Sequence, residues 1–224
     1  MFDSLKLSDL PKKQSYVLRK PSTTRPTIWV VEENGLRAVV KDYSTNKFVF
    51  RNTVGRFLVW REGKAYKKLK GLRGVPNIYR VIDGLALAIE QIPGRDLKKV
   101  TREMQIPETF PGALKDLVSD LHRRGIAHCD LKKATNILMG KDGLPYIIDW
   151  GASISEKEFR FPPFNLIYRR FVLDDQMAVI KLKLRYTPHA VTPAENKRYK
   201  NRDKAEKHIR IIRDRLRSIL QKLA

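Results

Sequence analysis

The stretch that most limits what this chain can fold into is His128-Cys129-Asp130-Leu131-Lys132-Lys133-Ala134-Thr135-Asn136-Ile137-Leu138-Met139, followed by Ile147-Ile148-Asp149-Trp150-Gly151. Two short apolar strands are joined by the turn Gly140-Lys141-Asp142-Gly143. Such a hairpin brings Asn136, at the start of the first strand, and Asp149, at the end of the second, to one end of the pair. An amide oxygen beside a carboxylate suits Mg²⁺, which takes hard oxygen ligands and completes its shell with phosphates and water. Asp130, just upstream, adds a carboxylate that can orient or accept the proton of an attacking hydroxyl. Asp, Asn and Gly gather in any turn. Here three such groups stand in a set order, each beside an apolar strand.

In that order the residues resemble the catalytic loop and the metal-binding D-F-G turn of the protein-kinase superfamily, with Trp150 in place of Phe. The resemblance implies an α+β, bilobal fold, with a β-rich N-lobe over residues 1–92 and a shortened helical C-lobe over 93–190. It implies ATP and Mg²⁺ as cofactors, with Asn136 and Asp149 on the metal and Asp130 on the acceptor hydroxyl. The kinase pattern has four residues between Asp and Asn, and five stand here. One extra residue in the loop leaves two lysines for the transferring phosphate, Lys132, taken first, or Lys133. Thr135 is the alternative to Asn136.

The partners that a kinase needs occur upstream. Ser15–Arg19, Thr27–Val31 and Leu36–Tyr43 read as strands, the last two joined by a turn at Asn34-Gly35. Ala38-Val39-Val40-Lys41 matches the strand whose lysine binds the α- and β-phosphates. Phe48–Leu72 reads as a helix, in which Glu62 matches the acid that holds that lysine. Gly63 within it suggests close packing. Gly74–Ile82 and Leu85–Glu90 read as two more strands, and Glu90 begins a segment resembling the hinge that meets adenine. The loop Lys20–Pro26 has no glycine, whereas kinases cover the phosphates with a Gly-rich turn; Ser22, Thr23 and Thr24 can donate instead. Gly112–Arg124 reads as an amphipathic helix ended by Gly125. His128 reads as a packing residue, Cys129 as a small buried filler, and Leu138 and Ile148 as the floor of the adenine pocket.

Only 73 residues follow Gly151, without the A-P-E that closes a kinase activation segment. Asn165–Tyr186 reads as a partly buried helix. This truncation resembles the small bacterial lipopolysaccharide core (Kdo/heptose) kinases and the RIO-type kinases, so the implied acceptor is a core sugar or a Ser/Thr of a protein. A pseudokinase scaffold is the other reading, drawn from the glycine-free loop and the extra catalytic-loop residue.

Composition narrows the setting. A formal net charge of +22 over 224 residues attracts polyanions. Thr192-Pro193 starts a helix. Beyond it, Ala205, Ile209, Ile212, Leu216, Ile219 and Leu223 form one apolar stripe at helical spacing. From Val191 onward eleven Lys and Arg face four Asp and Glu, a net charge of +7. The segment 191–224 is expected to lie on the C-lobe or on an anionic membrane, with nucleic acid a weaker partner because no aromatic interleaves the cations. A single cysteine, no leader pattern and no membrane-length apolar run point to the cytoplasm, or to its membrane face.

Overall fold

The computed structural model describes residues 2–100 and 106–201. Strands β1 (Gln14–Arg19), β2 (Thr27–Glu33), β3 (Leu36–Asp42), β4 (Ile78–Ile82) and β5 (Ala86–Glu90) form an antiparallel sheet in the order β1-β2-β3-β5-β4. The β2–β3 turn has positive φ at both central residues, Asn34 (53°) and Gly35 (75°), and Asp83 and Gly84 repeat this between β4 and β5. Such turns match the twist of the strands that they join. The fourth strand begins at Ile78 rather than at Gly74. Gly74 takes φ 89°, where a Cβ would strike Leu117 and the Pro145 carbonyl, and Pro76 has no N–H to give a ladder.

Strand alternation then sorts the side chains. Ala38, Val40, Ala86 and Ala88 face one way, and Phe2, Leu5 and Leu10 cover them. The first fourteen residues carry no clear signal in the sequence. They nevertheless form a 3₁₀ turn and the short helix α1 (Leu10–Lys13), and each of the three covering side chains contributes about 1.5–3 kcal/mol by burial. Lys41 lies out of step with Val40 and faces the other way, toward the helical segment 48–68.

That segment is not one regular helix. Helix α2 (Phe48–Phe50) runs into a π-helical stretch at Arg51–Gly55 and then into α3 (Arg56–Lys68). Gly55 lies against Tyr43, whose Cβ would be 3.0 Å from any side chain placed there. Val59, Glu62, Tyr66 and Leu69 recur at three- and four-residue spacing and are buried. Gly63 also faces the sheet, yet a methyl there would meet Val81 at 3.4 Å, so the site has room for alanine.

Past Glu90 the chain builds a three-stranded sheet, β6 (Gly94–Asp96), β8 (Ile137–Gly140) and β9 (Pro145–Ile147), in the order β6-β8-β9, while β7 (Ile126–Ala127) pairs with β10 (Ile154–Ser155). Helix α4 (Phe110–Arg123) buries Phe110, Leu114, Leu117, Val118 and Leu121, and Gly125 ends it at φ 66°. Helix α5 (Asn165–Tyr186) has the expected bounds. Helix α6 (Pro193–Lys200) starts with a capping box in which the Glu195 N–H donates to Thr192 Oγ1 and Glu195 Oε2 accepts from the Thr192 N–H. The largest core cluster joins α3 and β5 to α4, Trp150 and α5. The class is α+β. The apolar stripe from Ala205 to Leu223 lies outside the described residues. No helix among those described is long and apolar enough to cross a membrane.

Candidate active site

Lys41 is the centre of the cleft. Its Nζ donates to Glu62 Oε1 at 2.6 Å and to Asp149 Oδ1 at 2.8 Å. Strand parity turns Lys41 toward α3, helical spacing turns Glu62 back, and the β8–β9 hairpin delivers Asp149. Glu62 is also held by the Trp150 N–H, at 3.3 Å. Lys41 and Glu62 are almost fully buried, whereas the Asp149 side chain keeps 50 % of its exposure. Burial opposes the charge on Lys41, but Asp149 and Glu62 outweigh it and hold its pKa well above that of an ordinary lysine. The Lys41 charge holds Asp149 far below the usual carboxylate range, while burial pushes Glu62 up. Asp149 itself sits at φ 68°, a left-handed conformation that Asp tolerates and that marks functional turns.

The catalytic loop is assembled around a buried acid that the motif reading overlooked. Asp175, on α5, accepts from the His128 N–H at 2.7 Å, the Cys129 N–H at 3.0 Å and His122 Nε2 at 3.2 Å. Cys129 stands at φ 68°, strained for a side chain of its type. A carboxylate that takes two consecutive N–H groups is what holds it there. Asp175 had left a trace in the sequence as an acid on the buried stripe Tyr168, Asp175, Val179, Leu182. Burial, with Asp175 adding to it, pushes the Cys129 thiol well up, in keeping with a filler rather than a nucleophile. His128 packs as expected. Its ring lies 4.7 Å from that of Trp150, Nε2 donates to the Ile148 carbonyl at 3.0 Å, and Nδ1 accepts from the Asp130 N–H.

The five-residue spacing is absorbed by a turn and the 3₁₀ segment Ala134–Asn136. Asn136 ties this loop to the strand before Asp149. Its Nδ2 donates to the Asp130 carbonyl at 3.0 Å, and its own carbonyl accepts from the Ile148 N–H at 3.0 Å, one residue before Asp149. Of the two candidate lysines, Lys133 pairs with Asp130 Oδ2. The inserted residue shifts the register so that the lysine at i+3 curls back over Asp130. Asp130 Oδ1 is buried without a hydrogen-bond partner among the described residues. This open acceptor beside a cation is suited to a hydroxyl.

The nucleotide side is less conventional. The glycine-free loop between β1 and β2 adjoins the Lys41 end of the sheet, since Ile28 pairs with Lys41. It is held from behind by buried Asn46, whose Nδ2 donates to the Ser22 carbonyl at 2.7 Å and the Arg25 carbonyl at 3.1 Å. The Ser22 N–H closes the turn onto the Arg25 carbonyl. Asn46 supplies from a neighbouring segment the shape that glycines give elsewhere. Asn46→Ala is expected to loosen this loop while leaving the sheet intact, since Asn46 holds only the loop's carbonyls. Faster amide exchange at Ser22 with unchanged circular dichroism checks this. At the hinge, Glu90 has its N–H and carboxylate committed to Asn77. Its side chain braces β5 there. Leu138 and Ile148 are both half-buried.

The donor set fits Mg²⁺. Asn136 and Asp149 provide hard oxygens, and among the described residues no group of three or more His, Cys, Asp or Glu forms a closed cage. A metal here would draw its remaining ligands from phosphates and water, as Mg²⁺ does.

No protein-family model matches this chain, and no curated protein does. Solved structures do. The Rio2 kinase of Chaetomium thermophilum in an ADP/Mg²⁺-phosphoaspartate complex matches at a TM-score of 0.59 and 18 % identity, over 83 % of this chain and 60 % of that one. A second Rio2 kinase structure from the same organism matches at 0.59 and 19 %, over 86 % and 64 %. The fold is that of a RIO-type protein kinase. At this identity the likeness concerns the fold, and the chain spans about three fifths of the Rio2 structures. These matches bear on the RIO side of the expected resemblance and not on the lipopolysaccharide kinases.

Proposed function

We propose that the chain is an ATP- and Mg²⁺-dependent phosphotransferase that moves a γ-phosphoryl group to a hydroxyl. One observation carries the reading. Lys41 is shared by Glu62 and Asp149 at 2.6 and 2.8 Å, and Asn136 links the turn at Asp149 to Asp130, which carries a buried oxygen without a partner among the described residues. A structural ion pair accounts for Lys41 and Glu62 alone. It does not account for a third, half-exposed carboxylate and an open acceptor beside them.

Lys41, aimed by Glu62, binds the α- and β-phosphates. Asp130 orients the acceptor hydroxyl and takes its proton as the new O–P bond forms and the bond from the γ-phosphorus to the bridging oxygen breaks, releasing ADP. Lys132 or Lys133 offsets charge on the transferring group. Asn136 and Asp149 would hold Mg²⁺, which would neutralise charge on the phosphate oxygens. Positioning and electrostatics carry most of the rate in such a site. The acceptor is a Ser/Thr of a protein or a lipopolysaccharide core sugar. The phosphoaspartate in the matched Rio2 complex adds a carboxylate of the kinase as a third acceptor to test.

Asp130→Ala is expected to lower Mg²⁺-dependent ATP turnover by about 10²–10⁴, the usual worth of a positioned base, with nucleotide affinity kept. Product analysis separates the acceptors. Lipid-dependent turnover marks a glycolipid, acid-stable phosphoprotein marks a hydroxyl side chain, and hydroxylamine-labile phosphate marks a carboxylate. Turnover in the wild type no greater than in Asp130→Ala would sink the enzyme reading in favour of a scaffold.

A further inference from the structure

Away from the cleft, the segment that carries Glu62 turns large apolar side chains to solvent. Phe48, Val49, Phe57 and Trp60 are 70, 72, 50 and 55 % exposed. Cations sit against the rings, with Arg51 5.3 Å from Phe48, Arg61 5.8 Å from Phe57 and Lys64 5.1 Å from Trp60. From Lys47 to Arg73 the chain has nine Lys or Arg and a single acid, Glu62, which is buried against Lys41. The exposed face is therefore aromatic, aliphatic and cationic, with no acid of its own. It continues toward the start of α5. Arg61 Nε donates to the Ser153 carbonyl at 2.6 Å and Lys64 Nζ to Glu158 Oε1 at 2.8 Å. Just beyond that junction Phe161, Phe164 and Leu166 are 72, 56 and 61 % exposed. Apolar groups clustered in this way mark a contact surface.

We propose that this face docks on an anionic lipid bilayer, its apolar tips entering the interfacial layer and its Lys and Arg meeting the lipid phosphates. Three features choose this occupant. The surface is the convex side of a helix, and a fluid bilayer accepts protruding side chains without a matching groove. The nine cations of 47–73, against one buried acid there and Glu156 and Glu158 at the junction, leave a surplus that complements anionic headgroups. Val49 and Leu166 have no π-face, so base stacking along a single-stranded nucleic acid leaves them without a role. The surface is distinct from the basic segment beyond residue 201, and the proposal does not rest on phosphoryl transfer.

The test uses the full chain without nucleotide, with vesicles of phosphatidylcholine alone or mixed with phosphatidylglycerol. Trp60 is the reporter, because Trp150 is 0 % exposed and Trp29 is half-buried in β2, where its Nε1–H donates to Asp42. Mixed vesicles are expected to sediment the protein, shift its emission to the blue and protect it from acrylamide. Phosphatidylcholine alone should not, and added salt should weaken the effect. Trp60→Phe should remove the shift. Phe48→Ser/Val49→Ser should weaken vesicle binding about tenfold or more, with circular dichroism unchanged. Phe161→Ser/Phe164→Ser repeats the test on the other side of the junction. Vesicle binding that survives both double variants, with Trp60 emission unmoved, would overturn the proposal by placing the contact elsewhere. A Trp60 shift with a single-stranded oligonucleotide but not with vesicles would also overturn it, as would a dimer that buries Trp60.

Discussion

Replacing Lys41 with methionine is expected to abolish ATP turnover and to lower stability by about 3–5 kcal/mol, the usual cost of removing one partner from a buried ion pair. Methionine fills the space but leaves Glu62, 3 % exposed, as a buried carboxylate with no cation and Asp149 as a second one nearby. Glu62 must then take up a proton or draw in water. Lys41→Met/Glu62→Gln is expected to recover most of the stability and none of the turnover, because the glutamine needs no counter-charge while the phosphate-binding cation is still gone. Urea unfolding and ATP hydrolysis read the two effects separately. Unchanged stability in Lys41→Met would show that the pair holds nothing together.

The same site sets the sign of the pH dependence. Lys41 titrates above its ordinary 10.5 when folded, so its contribution is fully present below pH 10.5 and fades as pH rises through the folded value. Asp149 titrates below its ordinary 3.8, so its contribution is present above that pH and fades as pH falls through the folded value. Glu62, which burial raises, opposes this on the acid side. This site's contribution should thus be flat from above the folded Glu62 value up to pH 10.5 in the wild type, and both flanks should weaken in Lys41→Met.

Asp175→Ala is the second large effect, although Asp175 touches neither phosphate nor metal in the proposed scheme. It removes the acceptor of three donors, two of them the consecutive N–H groups of His128 and Cys129. Leaving buried donors unmet costs about 1–3 kcal/mol each, so a loss of about 3 kcal/mol or more is expected. Cys129, no longer held at φ 68°, should relax toward negative φ and carry Asp130, the next residue, out of place. Turnover should therefore fall with stability. Adding Cys129→Gly should return part of the stability, since glycine takes positive φ without strain. Amide exchange at His128 and Cys129 checks the cause directly. If those amides stay protected in Asp175→Ala, another acceptor holds the loop.

Much of the site could be read in advance because it is encoded over short spans. The turn and strand signals around Asn136 and Asp149 form one hairpin. Period-two alternation in β3 turns Lys41 to the opposite face from Ala38 and Val40, and three- and four-residue spacing in α3 turns Glu62 to meet it. Helix α5 shows its full length because its apolar positions and the break at Thr187-Pro188 are local. What the sequence alone determined is therefore the set of chemical groups and the direction in which each element presents them.

Tertiary structure decided the rest, because each remaining feature depends on which distant groups meet. Asp175 lies 47 residues from His128, and nothing near either residue names the other. Asn46 shapes a loop about twenty residues away. The pairing of Lys133 with Asp130 follows from how the loop curls, which depends on the Asp130 and Asn136 backbones that it must join. Phe2, Leu5 and Leu10 carry no periodic signal, yet they cover one face of the five-stranded sheet. Periodicity records which way a side chain points. Only the packed chain determines what that side chain meets.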